Sequence, residues 1–177
     1  MEDISRCCAF TGHRPHKLPW GYDESDERCR AVKGALAGQV RALAELRGVT
    51  CFLSGMADGT DVWAAQAVLE LRRERPVRLC CVLPHPGQAD RWDREARERY
   101  RAVLAEADEV LSLADRYYDG CMQARNRYLV DHAGTLLAVY DGTPGGTAMT
   151  VGYARNLGRK VVVIDPVARV VRGAVRA

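Results

Sequence analysis

The chain has 177 residues, 47% hydrophobic and 28% charged, with 26 Lys and Arg against 23 Asp and Glu for a net charge of +3. That length predicts one domain over 1–177 with a core of its own, and the balance excludes a disordered chain. No apolar run approaches the ~18 residues of a membrane span and the opening MEDISRCCAF is not a secretory leader, so a cytoplasmic protein with no membrane association is expected. Acids interrupt the basic residues, as in Asp90-Arg91-Trp92-Asp93-Arg94-Glu95, which reads as solvated helix faces and argues against nucleic acid as a partner. Seven cysteines include the adjacent pairs Cys7-Cys8 and Cys80-Cys81. Neighbours in a strand point to opposite faces, so neither pair chelates one metal; reduced core residues and no metal site are expected.

In chain order, residues 6–11 form a short apolar run, the first predicted strand, which breaks at Gly12-His13-Arg14-Pro15. Residues 13–26 lack any period and read as a long loop placed to act as a lid. Apolar positions at 29, 32, 36, 40, 43 and 46 then predict an amphipathic helix over about 25–47, closed by Gly48. Residues 49–53 are apolar and β-branched enough for a buried parallel strand, and they run into Ser54-Gly55-Met56-Ala57-Asp58-Gly59, with Thr60 or Asp61 expected to cap a helix carrying Trp63. A third strand over 77–83 ends in Pro84-His85-Pro86-Gly87, and a helix is predicted over 88–107. A short strand over 109–113, a polar aromatic loop and a helix over 121–132 follow, the last carrying Met122, Arg125, Asn126, Arg127 and Tyr128 in its first two turns. The fifth strand, 136–139, leads into Tyr140-Asp141-Gly142-Thr143-Pro144-Gly145-Gly146-Thr147, with Thr147 as the expected cap of a short helix. A sixth strand over 161–164 stops at Asp165-Pro166, and the tail 166–177 is weakly patterned, either disordered or an extra sheet edge. Six alternations of strand and helix predict a Rossmann-like doubly wound α/β fold: a parallel sheet of about six strands with helices on both faces, core 6–165.

Two glycine-rich loops that each join a strand to a helix carry the functional signal. A helix N-terminus leaves backbone N–H groups unpaired with the positive end of the helix dipole behind them, which suits phosphate or carboxylate. In an open parallel sheet both loops emerge at the carboxyl edge, so Gly55 to Thr60 and Gly145 to Thr147 are expected to face one crevice.

On Thr11-Gly12-His13-Arg14-Pro15, the run Ser54 to Asp61 with Trp63, Pro84 after its strand, and Tyr140 to Thr147, the chain resembles the YpsA-like (DUF1273) proteins of the SLOG superfamily. The resemblance covers about residues 8–164; the superfamily is Rossmann-like and includes LOG phosphoribohydrolases and DprA-type domains. It implies a pocket for a nucleotide or nucleotide-derived ligand, ADP-ribose-like or NAD-like, and no required cofactor. LOG-type enzymes carry a motif like PGGxGTxxE whose Glu assists cleavage of an N-glycosidic bond. Here Pro144-Gly145-Gly146-Thr147 matches the glycines, but no Asp or Glu occurs between Asp141 and Asp165.

The expected function is therefore binding or sensing of a nucleotide-derived small molecule. Loop N–H groups would hold its phosphates, Arg14 or Arg127 would supply a bidentate charge, and Trp63 or Trp20 would offer a stacking face if not committed to the core. The alternative is a nucleotide N-glycosidase with Asp58, Asp61 or Asp141 as its carboxylate; single-stranded DNA binding is the third reading. A homo-oligomer or protein partner is compatible with all three.

Overall fold

A computed structural model describes residues 3–176. Its centre is a seven-stranded sheet built from β1 (Cys7–Gly12), β2 (Cys51–Ser54), β3 (Arg78–Leu83), β4 (Glu109–Ser112), β5 (Thr135–Val139), β6 (Lys160–Asp165) and β7 (Val170–Arg172). The strand order is β4-β3-β2-β1-β5-β6-β7; the first six are parallel and β7 is antiparallel to β6. The fold is Rossmann-like α/β, as the alternation of elements predicts. From β1 the chain winds outward to β4, then returns to lie beside β1 as β5, so its direction reverses between β1 and β5. That reversal opens a crevice at the carboxyl ends of these two strands.

Alternation within the strands divides the core. Cys8, Phe10, Phe52, Leu79, Cys81, Leu137 and Val139 face one side, where α1 (Glu27–Arg47) and α2 (Thr60–Arg72) bury Leu36, Val40, Ala64 and Val68 against them. Cys7, Ala9, Cys51, Leu53, Cys80, Leu136 and Ala138 face the other, covered by Leu129 and Val130 of α4 (Cys121–Asp131) and Val151 and Ala154 of α5 (Gly146–Asn156). The adjacent cysteines do divide between the two faces, and burial pushes the Cys81 thiol up to about 12.

Three local expectations are corrected, and the choice left open for the tail is decided. The helix predicted over 88–107 begins only at α3 (Arg94–Glu106), because the Asp93 carboxylate accepts from the Ala96 N–H at 2.8 Å and sets the start there. Trp92 keeps the apolar period of the stripe but packs edge-on against Tyr100 from the preceding turn, with ring centroids 5.2 Å apart. Neither Thr60 nor Asp61 caps α2, and Thr147 does not cap α5; the residues preceding these helices are Gly59 and Gly145, with no side-chain cap. The tail supplies a seventh strand at the sheet edge, after a turn in which the Asp165 carboxylate accepts from the N–H groups of Val167 and Ala168. Among the described residues no helix is long and apolar enough to cross a membrane.

Candidate functional site

A cavity of about 300 Å³ lies in the β1/β5 crevice. Thr11, Gly12, His13 and Arg14 reach it from the end of β1, and His16 and Lys17 from the loop that follows. Ala57 and Asp61 come from the β2–α2 connection, Gly146 and Thr147 from the first turn of α5, and Met122, Gln123, Arg125 and Asn126 from the first turns of α4. Both glycine loops thus contribute to one space, which also collects the uncapped N-termini of α4 and α5.

The residues from β1 are fixed from behind. His13 is buried, and its Nε2 donates to Asp141 Oδ1 at 2.7 Å; the carboxylate only accepts, so that nitrogen carries the proton. The same oxygen accepts from the Thr143 hydroxyl at 2.7 Å and the Thr143 N–H at 2.9 Å. Partial burial pushes the Asp141 pKa up, but the Thr143 bonds and His13 outweigh it and hold the carboxyl at about 2. Lys17 spans the crevice and donates to the Pro144 carbonyl at 3.4 Å.

The floor is a buried guanidinium. Arg125 is 3% exposed; its Nε donates to Asn126 Oδ1 at 2.8 Å and its Nη1 donates to the Gly55 carbonyl, while Nη1 also lies 3.9 Å from Asp61 Oδ2. Nη2 has no hydrogen-bond partner among the described residues, and Arg125 lines the cavity. Burial lowers the Arg125 pKa and raises that of Asp61, and each charge opposes the shift of the other. Asp61 Oδ2 also accepts from the Ala57 N–H at 3.2 Å. With Arg14, Lys17 and Arg125 against the one carboxylate of Asp61, the lining carries a net positive charge.

Several predicted site residues support this floor without lining it. The Ser54 hydroxyl donates to the Asp61 carbonyl at 2.9 Å and accepts from the Met56 N–H at 3.1 Å. Met56, fully buried at φ 55°, and Gly55 present carbonyls that accept from the Gln88 amide at 3.1 and 3.2 Å. Gly59 adopts φ 88° directly against Pro15, where a Cβ would lie 2.9 Å from the ring. The Thr60 hydroxyl donates to the His13 carbonyl at 3.1 Å, tying the β2 loop to the β1 loop. Asp141 and Gly142 stand behind His13, and Pro84 is buried at the end of β3; none of the three lines the cavity.

Three expectations need correction. Trp63 is a core residue: it is 4% exposed, its indole N–H donates to Glu24 at 3.1 Å and Lys33 lies over its ring, so it offers no stacking face, and Trp20 is buried as well. Arg127 is exposed and leans over the Tyr153 ring at 5.8 Å, in a neighbouring groove; of the two arginines expected, Arg14 lines the cavity, where Arg125 joins it. Of the three candidate carboxylates only Asp61 lines the cavity, since Asp58 sits outside it and Asp141 is bound to His13. The signal for Arg125 was present in the sequence: it falls four residues from both Cys121 and Leu129, which define the buried stripe of α4. Lys17, His16, Gln88, Gln123 and Asn126 carry no comparable sequence signal.

A family model described as the YspA SLOG family (YpsA) matches residues 8–158. The chain belongs to this family. It is 30% identical over 142 residues to the UPF0398 protein YpsA of Bacillus subtilis, covering 78% of each chain. A UPF0398 protein of Halalkalibacterium halodurans is 33% identical over 151 residues, covering 83% of this chain and 79% of that one. Among solved structures, the fold is similar to DNA processing protein A (DprA) from Streptococcus pneumoniae, with TM-score 0.61, 21% identity, and coverage of 89% of this chain and 50% of that one. DprA from Helicobacter pylori, whose structure is described for its single-stranded DNA binding mode, gives TM-score 0.63 at 16% identity, covering 92% of this chain and 66% of that one. The chain therefore spans about half the length of the first DprA and about two thirds of the second.

Proposed function

We propose that the β1/β5 cavity binds the phosphate of a nucleotide-derived small molecule, of the ADP-ribose-like or NAD-like kind, and that the chain is a binding or sensing domain for it. The observation that carries this reading is the Arg125 guanidinium, buried, oriented by Gly55 and Asn126, with Nη2 unpartnered among the described residues, in the lining of a space already supplied with two helix N-termini. A buried cation pre-oriented in this way meets phosphate oxygens without first losing side-chain entropy. Arg14 and Lys17 at the mouth add charge.

The test is a thermal-shift and calorimetric panel of inorganic pyrophosphate, AMP, NAD and ADP-ribose. Ligands that bind only the folded state raise the melting temperature, and Arg125→Lys, which keeps the charge but loses the fork, is expected to weaken binding about tenfold or more. A panel in which no phosphate compound stabilises the protein refutes the reading. The likeness to DprA favours single-stranded DNA as a second reading. Oligothymidylate binding that falls steeply with salt, without stabilisation by any mononucleotide, would establish it in place of the first.

A further inference from the structure

Beside the phosphate cavity, and sharing Gln123, Asn126 and Gly146 with it, a groove of about 380 Å³ runs between the exposed sides of α4 and α5. We infer that this groove is the nucleobase subsite of the same ligand, taking a flat, purine-sized heterocycle. The inference rests on the phosphate reading of the adjoining cavity.

Met149 and Tyr153 stand four residues apart on α5 and so form one platform. Met149 is 64% exposed, so its thioether is open to a ligand. The Tyr153 hydroxyl donates to Asp131 Oδ1 at 2.8 Å and the Arg127 guanidinium leans over its ring at 5.8 Å, so a base would meet the ring edge and the outer face of the guanidinium. A thioether and an anchored aromatic ring suit a π-system. Gly152 leaves the groove wall between them without a side chain. Polar edges are supplied by amides. Gln123 and Asn156 have no side-chain partner among the described residues, and Asn126 uses only its oxygen, on Arg125, leaving its NH₂ group available. Side-chain amides offer the paired donor and acceptor that read the edge of a base. The shared wall matters most: Gln123, Asn126 and Gly146 line both spaces, so one ligand with its phosphate at Arg125 would have its next group beside the groove.

The experiment compares ribose 5-phosphate, AMP and ADP-ribose by calorimetry on the parent, Tyr153→Ala and Met149→Asp, with oligomeric state followed by light scattering. Met149 is exposed while Tyr153 packs partly against the core, so circular dichroism checks folding of both variants. AMP is expected to bind at least tenfold more tightly than ribose 5-phosphate, and each variant to lose about tenfold or more for AMP while keeping ribose 5-phosphate affinity. If the parent binds ribose 5-phosphate and AMP equally, or the variants bind AMP as the parent does, the base subsite is refuted while the phosphate cavity stands. If neither compound binds, the phosphate reading fails and this one with it. A parent dimer dissociated by Met149→Asp, with AMP affinity unchanged, would make the groove an interface between copies and overturn the inference.

Discussion

Gly55→Ala is a test of the floor that replaces no residue lining the cavity. An ideal Cβ at Gly55 would lie 2.5 Å from Arg125 Cζ and 2.8 Å from its Nε, closer than real contacts allow. The backbone cannot yield easily, since Ser54 ties this turn to the Asp61 carbonyl and to the Met56 N–H. The guanidinium must move instead, giving up the Gly55 carbonyl and its aim into the crevice. A hydrogen bond to a charged group is worth about 1.5–3 kcal/mol, so affinity for pyrophosphate or AMP is expected to fall roughly 10- to 150-fold. The fold loses the same bond, and at ~2–4 °C per kcal/mol for a chain of this size the melting temperature drops roughly 3–12 °C. Calorimetric titration well below that temperature, with urea unfolding beside it, separates the two effects. Gly38→Ala serves as control, because a Cβ there meets nothing within 4 Å. Affinity within twofold of the parent, with an unchanged melting temperature, would show that Arg125 has room to move, and would remove it from the argument.

Gly146→Val should fold normally, because nothing lies within 4 Å of its Cβ position, yet lose tenfold or more in nucleotide affinity by filling the wall between cavity and groove; an unfolded variant, or one that binds as the parent does, returns that loop to a purely structural role. Asp141 is held at about 2 in the folded chain against ~3.9 when unfolded. Its contribution is present above pH ~4 and lost as pH falls toward 2, and allowing for solvent screening it is roughly 1 kcal/mol. Asp141→Asn should therefore be less stable than the parent at pH 6 by about that amount, with the gap closing by pH 2 in urea titrations; a gap independent of pH refutes the assignment. Purified protein should release no base from AMP, GMP, NAD or ADP-ribose at an efficient rate, since loss of a transition-state carboxylate lowers rates by about two to three orders of magnitude. Chromatography showing robust turnover that disappears in Asp61→Asn would reverse that expectation.

Where residues act through local pattern, the sequence was readable. Period-two and period-3.6 stripes placed all five helices and the first six strands, and both strand-loop-helix junctions showed where a crevice would open. The tail's own residues leave disorder and an extra edge equally open, because its pairing depends on the neighbouring β6. The start of α3 was misplaced because Trp92 keeps the apolar period in a turn that is not helical. The site's floor was harder still. Arg125 and Arg127 are two residues apart with the same charge, and their fates differ because one lies on the buried stripe with Cys121 and Leu129 while the other lies off it. Lys17 and Gln88 enter through loops, whose paths follow from tertiary contacts such as Lys17 to Pro144 and Gln88 to Met56.

The Asp61–Arg125 pair bears on what a carboxylate is doing in a cavity otherwise lined by cations. A guanidinium removed from water costs several kcal/mol unless its charge is met, so Arg125 requires a counter-ion to be buried at all. Asp61 fits that need: it sits in the first turn of α2, where the helix dipole favours a negative charge, and its Oδ2 already accepts from Ala57 and lies 3.9 Å from the guanidinium. A carboxylate committed in this way explains its own presence without a catalytic role, and its attraction to Arg125 limits its power to stabilise an oxocarbenium-like centre on a ribose. On the proposed phosphate reading, the pair also divides the work of binding. Being nearly neutral together, the two contribute direction more than long-range attraction, while Arg14 and Lys17 at the mouth contribute the attraction. Affinity measured against salt should accordingly depend on the mouth residues, and discrimination between phosphate and other anions on the orientation that Gly55 and Asn126 impose on Arg125.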